Sequence, residues 1–243
     1  MSDKPLINPA WLDSLAPFVG CSGDEREAIL RQASMRSLRS GATLFEQGQP
    51  AGAFFLLLHG RLKATRLTAD GQRVLVRLVN PGELFGYARA LGRHDYPASA
   101  CATRDSLLLA WPTRLWEPLL ARHPGFALSA LQAIGGRLQE AHLRFCELAT
   151  EDVERRVAHA VLRLARQSGR DEEAGVRIDF PISRQDIAEM TGTTLHSVSR
   201  LLCAWEALGL VRGGRQKLLV CDLPRLARLA EGDDERETPG RDT

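Results

Sequence analysis

No stretch of this sequence stays apolar over the roughly 20 residues that a bilayer-spanning helix needs. The compact run Phe54 to Leu58 is far too short and suits a buried strand. The opening MSDKPLINPAW lacks the charged and apolar regions of a secretory leader, so no membrane is expected and the cytoplasm is the expected compartment. Cysteine is scarce and scattered. Cys21, Cys101, Cys146, Cys203 and Cys221 form no CxxC spacing and are odd in number, which excludes the pattern of a secreted disulfide scaffold and suits reduced, mostly buried thiols. With only Cys21 near the N-terminus, an iron–sulfur cluster is disfavoured. A dominant charge of one sign is also missing. Lys and Arg number 32 against 30 Asp and Glu, for a net charge of +2, so any nucleic-acid footprint has to be local. No GxSxG or HExxH motif occurs, and no Gly-rich phosphate loop opens a helix, which speaks against an enzyme.

What is present is length for two ordinary domains, 243 residues, with 44% hydrophobic and 26% charged residues, normal for a globular protein. The most informative segment is FPISRQDIAEMTGTTLHSVSRLLCAWEALGL, Phe180 to Leu210. Ser183 is a good N-cap, with Ile187 and Met190 on an apolar stripe behind it. Thr191-Gly192-Thr193 breaks that helix. Thr194 can cap a second helix, whose buried side is predicted to hold Leu195, Val198, Leu201, Leu202 and Trp205. His196, Ser197, Ser199 and Arg200 are then left at its exposed start, where the second helix of a helix-turn-helix reaches base edges. Arg184, Gln185, Ser197 and Arg200 are donors of the kind that bind phosphate and bases rather than a Glu/Lys lattice. Beyond them, Leu210 to Val220 reads as a hairpin turning at Gly213-Gly214, with a basic tip of the kind a wing uses on the DNA backbone.

The rest of the chain divides by pattern. Residues 1–35 read as a helical lead-in, with helix starts at Pro9-Ala10-Trp11-Leu12 and Ser22-Gly23-Asp24-Glu25. Residues 36–113 carry short apolar runs punctuated by Gly41, Gly48, Gly52, Gly60, Gly71 and Gly82, the signature of a β-sandwich or barrel. Residues 114–150 are helical. There Leu131, Ile134, Leu138, Ala141, Phe145 and Leu148 alternate spacings of three and four, an a/d seam about three heptads long that is expected to pair two copies of the chain. Gly135 and Gly136 weaken that helix and would permit close approach of a partner. Residues 151–230 hold a further helix to Gln167, a polar loop from Ser168 to Gly175, the winged segment, and a last short helix from Pro224. Residues 231–243 are expected to be disordered. The fold class is α+β: an N-terminal jelly-roll β-barrel, a long dimerisation helix and a C-terminal winged helix-turn-helix.

This order of parts, with the runs GATLFEQGQPAGAFFLLLHGRLKATRLTADGQRVLVRLVNPGELFG and ISRQDIAEMTGTTLHSVSRLLCAWEALGLV, resembles the CRP/FNR family of bacterial transcription regulators over residues 10 to 230. The resemblance implies a cyclic-nucleotide-binding-like sensor domain and a homodimer on a palindromic operator, with RNA polymerase as a further partner. It implies phosphate contacts at Ser183, Arg184, Gln185, Thr194 and Ser197, and base contacts at His196, Ser199 and Arg200. Arg200 can bond both O6 and N7 of guanine. His196 stands where the best-known members carry Glu, so the operator is expected to differ at that base pair. The run TGTTLHSVSRLL is similar to the nitric-oxide-responsive denitrification regulators, which implies an activator answering a nitrogen-oxide or redox signal.

Cyclic-AMP-binding members of the family place a Glu after the Gly of PGE..G and an Arg before a later Ser. Here Tyr87 follows Gly86, and Ala98 precedes Ser99. A buried phosphate without a guanidinium lacks its charge-assisted bonds, which disfavours a cyclic nucleotide. Gly86, Tyr87, Arg89 and Ser99 are the candidate effector-pocket residues. Haem is the other cofactor the family suggests, with His59, His94, His123 and His142 as possible axial ligands, none marked out by spacing. The effector, its cofactor and any metal stay open at this stage. The alternatives are a cyclic-nucleotide-responsive regulator of the same fold and a ligand-binding protein without DNA binding.

Overall fold

A computed structural model describes residues 15–232. The predicted helix start at Pro9 to Leu12 and the tail beyond residue 232 lie outside the described residues. The chain divides into two compact units, the first ending at Ala141 and the second beginning at His142.

The first unit opens with a single turn, Ala16–Phe18, and helix α1, Gly23–Arg31. Ser22 caps α1 in a reciprocal box. Its Oγ accepts from Glu25 N at 3.2 Å, and Glu25 Oε2 accepts from Ser22 N at 2.8 Å. That backbone hydrogen bond holds the Glu25 carboxyl below its usual range. Eight strands follow: β1 Ser34–Leu38, β2 Thr43–Phe45, β3 Ala53–His59, β4 Leu62–Leu67, β5 Arg73–Val79, β6 Leu84–Phe85, β7 Ser99–Ala102 and β8 Ser106–Pro112. They form two four-stranded antiparallel sheets, β1-β8-β3-β6 and β2-β7-β4-β5. This is the predicted sandwich with jelly-roll strand order.

Strand β3 explains its own apolar run. Successive side chains point to opposite faces, and both faces are covered. Phe54, Leu56 and Leu58 pack with Ile29, Trp111 and Phe126 on the helical side. Phe55 and Leu57 pack with Leu108, Ala110 and Val79 between the sheets. Trp111 Nε1 donates to Ile29 O at 2.9 Å, which ties α1 to the sandwich. The space between the sheets is filled by aromatic rings. Phe45 stacks on Tyr96 with centroids 3.8 Å apart, and Phe55 stacks on Phe85 at 5.3 Å. Tyr96 is pinned at its tip, where its hydroxyl donates to Ala53 O at 2.7 Å and accepts from Ala53 N at 3.2 Å. Burial pushes its phenol up from the usual range.

Helix α2, Trp116–Arg122, leads into α3, Pro124–Thr150, a helix of 27 residues. Phe126, Ser129 and Ala130 are buried. The predicted seam behaves in two ways. Leu131, Leu138 and Phe145 are 66%, 72% and 68% exposed, and Ala141 is exposed as well. Ile134 instead packs against the sandwich core. Leu148 is 52% exposed, although a Cβ built on Gly192 would meet its Cδ2 at 3.3 Å. Helical geometry accounts for the split. At about 100° per residue, positions 131, 138 and 145 stay within about 40° of one another, and Ile134, about 60° round from 131, is the seam residue that reaches the sandwich. A Cβ at Gly135 or Gly136 would meet nothing within 4 Å.

The second unit contains α4 Val153–Ser168, β9 Gly169–Glu172, β10 Gly175–Ile178, α5 Arg184–Thr191, α6 Leu195–Ala207, β11 Val211–Gly214, β12 Lys217–Val220 and α7 Leu223–Glu231. The stretch after Ser168 is not a loop. β9 and β10 pair from Gly169↔Ile178 to Glu172↔Gly175 and extend the wing into a four-stranded sheet, β11-β12-β10-β9. The β9 residues Gly169 to Glu172 are all exposed, so no alternating pattern marks the strand. Asp152 caps α4 by accepting from Arg155 N at 2.9 Å. The buried stripe of α4 includes Val157, Val161 and Leu164. Among the described residues no helix is long and apolar enough to cross a membrane.

Candidate nucleic-acid interface

Two capped helices and a hairpin build the site. Ser183 has extended backbone, and its Oγ accepts from Asp186 N at 3.0 Å. The hydroxyl also donates to Asp186 Oδ2 at 2.7 Å, so its single proton is already committed within the cap. Helix α5 ends at Gly192 in the left-handed conformation, φ 61°. Arg156 Nε donates to Thr191 O at 3.2 Å, satisfying a carbonyl at that terminus. Thr194 then caps α6, its Oγ1 accepting from Ser197 N at 3.1 Å and lying 3.0 Å from Ser197 Oγ. Both caps fall where the sequence placed them.

Helix α6 is held from behind by Val198, Leu202 and Trp205, all buried. Trp205 is 0% exposed, and its Nε1 donates to Glu154 Oε1 at 3.0 Å on α4. On the open side, His196 and Arg200 are exposed and Ser199 half-buried. Spacings of three and four put these three on one face of the first two turns. Arg184, the first residue of α5, reaches α6, with Nη1 donating to Cys203 Sγ at 3.6 Å and Nη2 lying 3.6 Å from Glu206 Oε1. Gln185 Nε2 donates to Glu189 Oε1 at 3.2 Å along its own helix.

Two expectations need correction. Leu195 is 47% exposed rather than part of the buried side, and Leu201 is only half-buried. At the first position of α6, Leu195 precedes the turn that packs on the core and projects beside the face that carries His196, Ser199 and Arg200. The wing also turns elsewhere. Gly214 pairs with Lys217, so Arg215 and Gln216 form a two-residue loop, with Gln216 at φ 56°. Gly213 and Gly214 belong to β11. Gly213 N donates to Glu206 Oε1 at 3.0 Å, and a Cβ there would lie 2.3 Å from that oxygen. Between α5, α6 and the wing lies a groove of about 430 Å³, with Ile187 and Leu202 on its floor and Arg184, Arg215 and Lys217 at its rim. The arrangement places cationic groups beside one exposed helix face, which is how phosphate positioning and base readout are divided between groups.

The four effector-pocket candidates make separate contacts. Gly86 is left-handed, φ 72°, and a Cβ would meet Phe55 Cδ2 at 2.8 Å. The Tyr87 ring stacks on Trp116 with centroids 5.9 Å apart. Arg89 Nη2 pairs with Glu117 Oε1 at 2.9 Å on the surface. Ser99 Oγ accepts from Gln47 N at 2.9 Å. The candidate haem histidines are equally dispersed: His59 ends β3, His94 lies in a loop, His123 stands between α2 and α3, and His142 lies within α3. His123 is buried with its Nδ1 3.8 Å from Glu25 Oε1.

A sandwich domain joined to a winged helix-turn-helix defines a DNA-binding transcription regulator. Residues 35–123 match the cyclic nucleotide-binding domain family, and residues 155–229 match the Crp-like helix-turn-helix domain family. The chain is 32% identical over 215 residues to the cyclic AMP receptor protein of Thermus thermophilus, covering 88% of this chain and 96% of the relative. It is 33% identical over 162 residues to the global nitrogen regulator of a Synechocystis strain, covering 66% and 72%. The structure of FixK2 from Bradyrhizobium japonicum superimposes with a TM-score of 0.70 at 23% identity, over 81% of this chain and 96% of that one. The chain belongs to the CRP/FNR family of transcription regulators, whose members here are regulators rather than enzymes.

Proposed function

We propose that the chain works in the cytoplasm as a homodimer that places two copies of α6 in successive major grooves of a palindromic operator. In this reading His196, Ser199 and Arg200 read bases, while Ser183, Arg184, Gln185, Thr194 and Ser197 hold the backbone together with the wing tip. Ser183 would make its contact at the expense of its bond to Asp186. Leu195 joins the base readers as an apolar contact for a thymine methyl. The observation that carries the reading is the open side of α6: polar readers and a free leucine on a helix whose other side is locked by Trp205. The dimer rests on Leu131, Leu138 and Phe145, with Ala141 beside them. Leu148, 52% exposed, continues the seam, and Ile134 serves its own unit first.

The DNA-bound dimer recruits RNA polymerase and activates transcription in answer to a small signal at the sandwich. A nitrogen-oxide or redox signal is the reading we favour, from the run TGTTLHSVSRLL. A cyclic nucleotide is the second reading, favoured by the relative named a cyclic AMP receptor protein. Against it stand Tyr87 turned onto Trp116, the Ser99 hydroxyl engaged by Gln47, and the absence of an Arg before Ser99.

The test is selection of duplexes from a random pool with the full chain at defined salt. Recovered sequences should be inverted repeats with half-sites about one helical turn apart. Arg200→Ala should lose about 1–3 kcal/mol on the selected site and relax one base position per half-site. Equal losses on selected and random duplexes would overturn Arg200 as a reader, and recovery of no repeat would overturn the dimeric reading. Titration of the complex with cyclic AMP and with a nitric oxide donor separates the two signals.

A further inference from the structure

One carboxylate in the second unit is placed against local helix energetics. Glu206 lies in the last turn of α6, where an acidic side chain faces the negative end of the helix dipole. Its Oε1 serves two other elements. It accepts from Gly213 N of the wing at 3.0 Å and lies 3.6 Å from Nη2 of Arg184, the first residue of α5. The glycine is fitted to this contact. Any side chain at 213 would put its Cβ 2.3 Å from the same oxygen. Gly213 has no positive φ, and what a side chain there would displace is this carboxylate, the movable end of Glu206. The wing residues that follow Gly213 include Arg215 and Lys217, both exposed, and Arg212 precedes it.

Resting on the reading of Arg184 and the wing as backbone contacts, we propose that Glu206 is the positioning residue of the DNA clamp. Its one oxygen registers the wing and Arg184 against α6, so that Arg184, Arg212, Arg215 and Lys217 reach phosphates in step with the base readers. Glu206 itself touches no DNA. A backbone amide held by an acceptor needs the oxygen but not the charge, so Glu206→Gln can keep the wing in place. Glu206→Ala and Gly213→Ala cannot, the first by removing the acceptor and the second by pushing it away.

The experiment uses the full chain, a duplex selected by the wild type, and a random duplex of equal length, with binding measured at several salt concentrations. Glu206→Ala and Gly213→Ala are expected to lose at least 10-fold on both duplexes and to show a shallower dependence of log affinity on log salt, because phosphate contacts are lost. Exchange of the Gly213 amide should quicken at least 10-fold in Glu206→Ala. Glu206→Gln should stay within about 3-fold of wild type and keep the salt dependence. Unchanged affinity and salt dependence in Gly213→Ala would overturn the proposal, as would a Glu206→Gln protein as weak as Glu206→Ala. Should Glu206→Ala fail to fold, the comparison of Glu206→Gln with Gly213→Ala still decides. If a combined Arg215→Ala, Lys217→Ala chain weakens DNA binding while Gly213→Ala does not, the positioning role fails and the wing reading survives. If the wild type prefers no duplex, the underlying reading fails instead.

Discussion

Leu138→Glu tests the pairing of two chains along α3. The wild-type helix leaves Leu131, Leu138 and Phe145 66%, 72% and 68% exposed along one stripe. Complete burial of such a side chain is worth about 1.5–3 kcal/mol, so covering the open two-thirds of each contributes about 1–2 kcal/mol. Three residues from each of two copies give about 6–12 kcal/mol in total. That is of the order of the roughly 4–15 kcal/mol lost in freedom on association. The balance is therefore close, and one residue decides it. Leu138→Glu removes two of the six contributions, about 2–4 kcal/mol, and sets two carboxylates against each other. At 1.4 kcal/mol per tenfold, the dimer dissociation constant should rise between about 30-fold and several hundred-fold. Sedimentation equilibrium reads this directly, and operator binding should fall in parallel. Leu143→Glu is the control. Leu143 is 58% exposed but lies five residues on, about 140° around the helix, and its variant should remain dimeric. An unchanged dissociation constant for Leu138→Glu, or equal disruption by Leu143→Glu, would refute the stripe as the interface.

Three further outcomes are expected. Thr194→Ala removes the cap of α6 and should lower the stability of the second unit by about 1 kcal/mol, read by urea unfolding followed at Trp205. Arg184→Ala should weaken binding to selected and random duplexes alike and flatten the salt dependence by about one phosphate contact; a loss confined to the selected site would contradict a backbone role. Leu195→Ala should abolish the penalty that the wild type shows when uracil replaces thymine in the half-site, since only the methyl group differs; an undiminished penalty would remove Leu195 from the readers.

The parts of the site governed by local chemistry were legible in the sequence. Ser183 and Thr194 cap their helices because a short side-chain oxygen satisfies an orphan amide wherever the chain enters a helix. Gly192 was legible because a left-handed residue is needed between the two. The continuous apolar run of β3 was legible because a strand covered on both faces has no polar side. What stayed hidden depends on which neighbour arrives. Leu195 shares its spacing with the buried residues of α6, but the first turn overhangs the core, and periodicity cannot report where the core ends. Gly213-Gly214 looked like a turn because glycine marks turns, whereas here Gly213 makes room for an oxygen seven residues away in sequence. β9 is polar throughout and becomes a strand only because β10 lies beside it. Ile134 fits the heptad, yet it packs on the sandwich core, because spacing alone cannot report which part of a helix its own domain covers.

Trp205 is the only tryptophan from His142 onward, and it lies fully shielded with its nitrogen bound to Glu154. Its ultraviolet emission is thus a private signal of the DNA-reading half. Subtracting the spectrum of a Trp205→Phe chain from that of the unaltered protein isolates the glow of that half, so that without any attached dye one can watch whether the two halves melt at one temperature or at two.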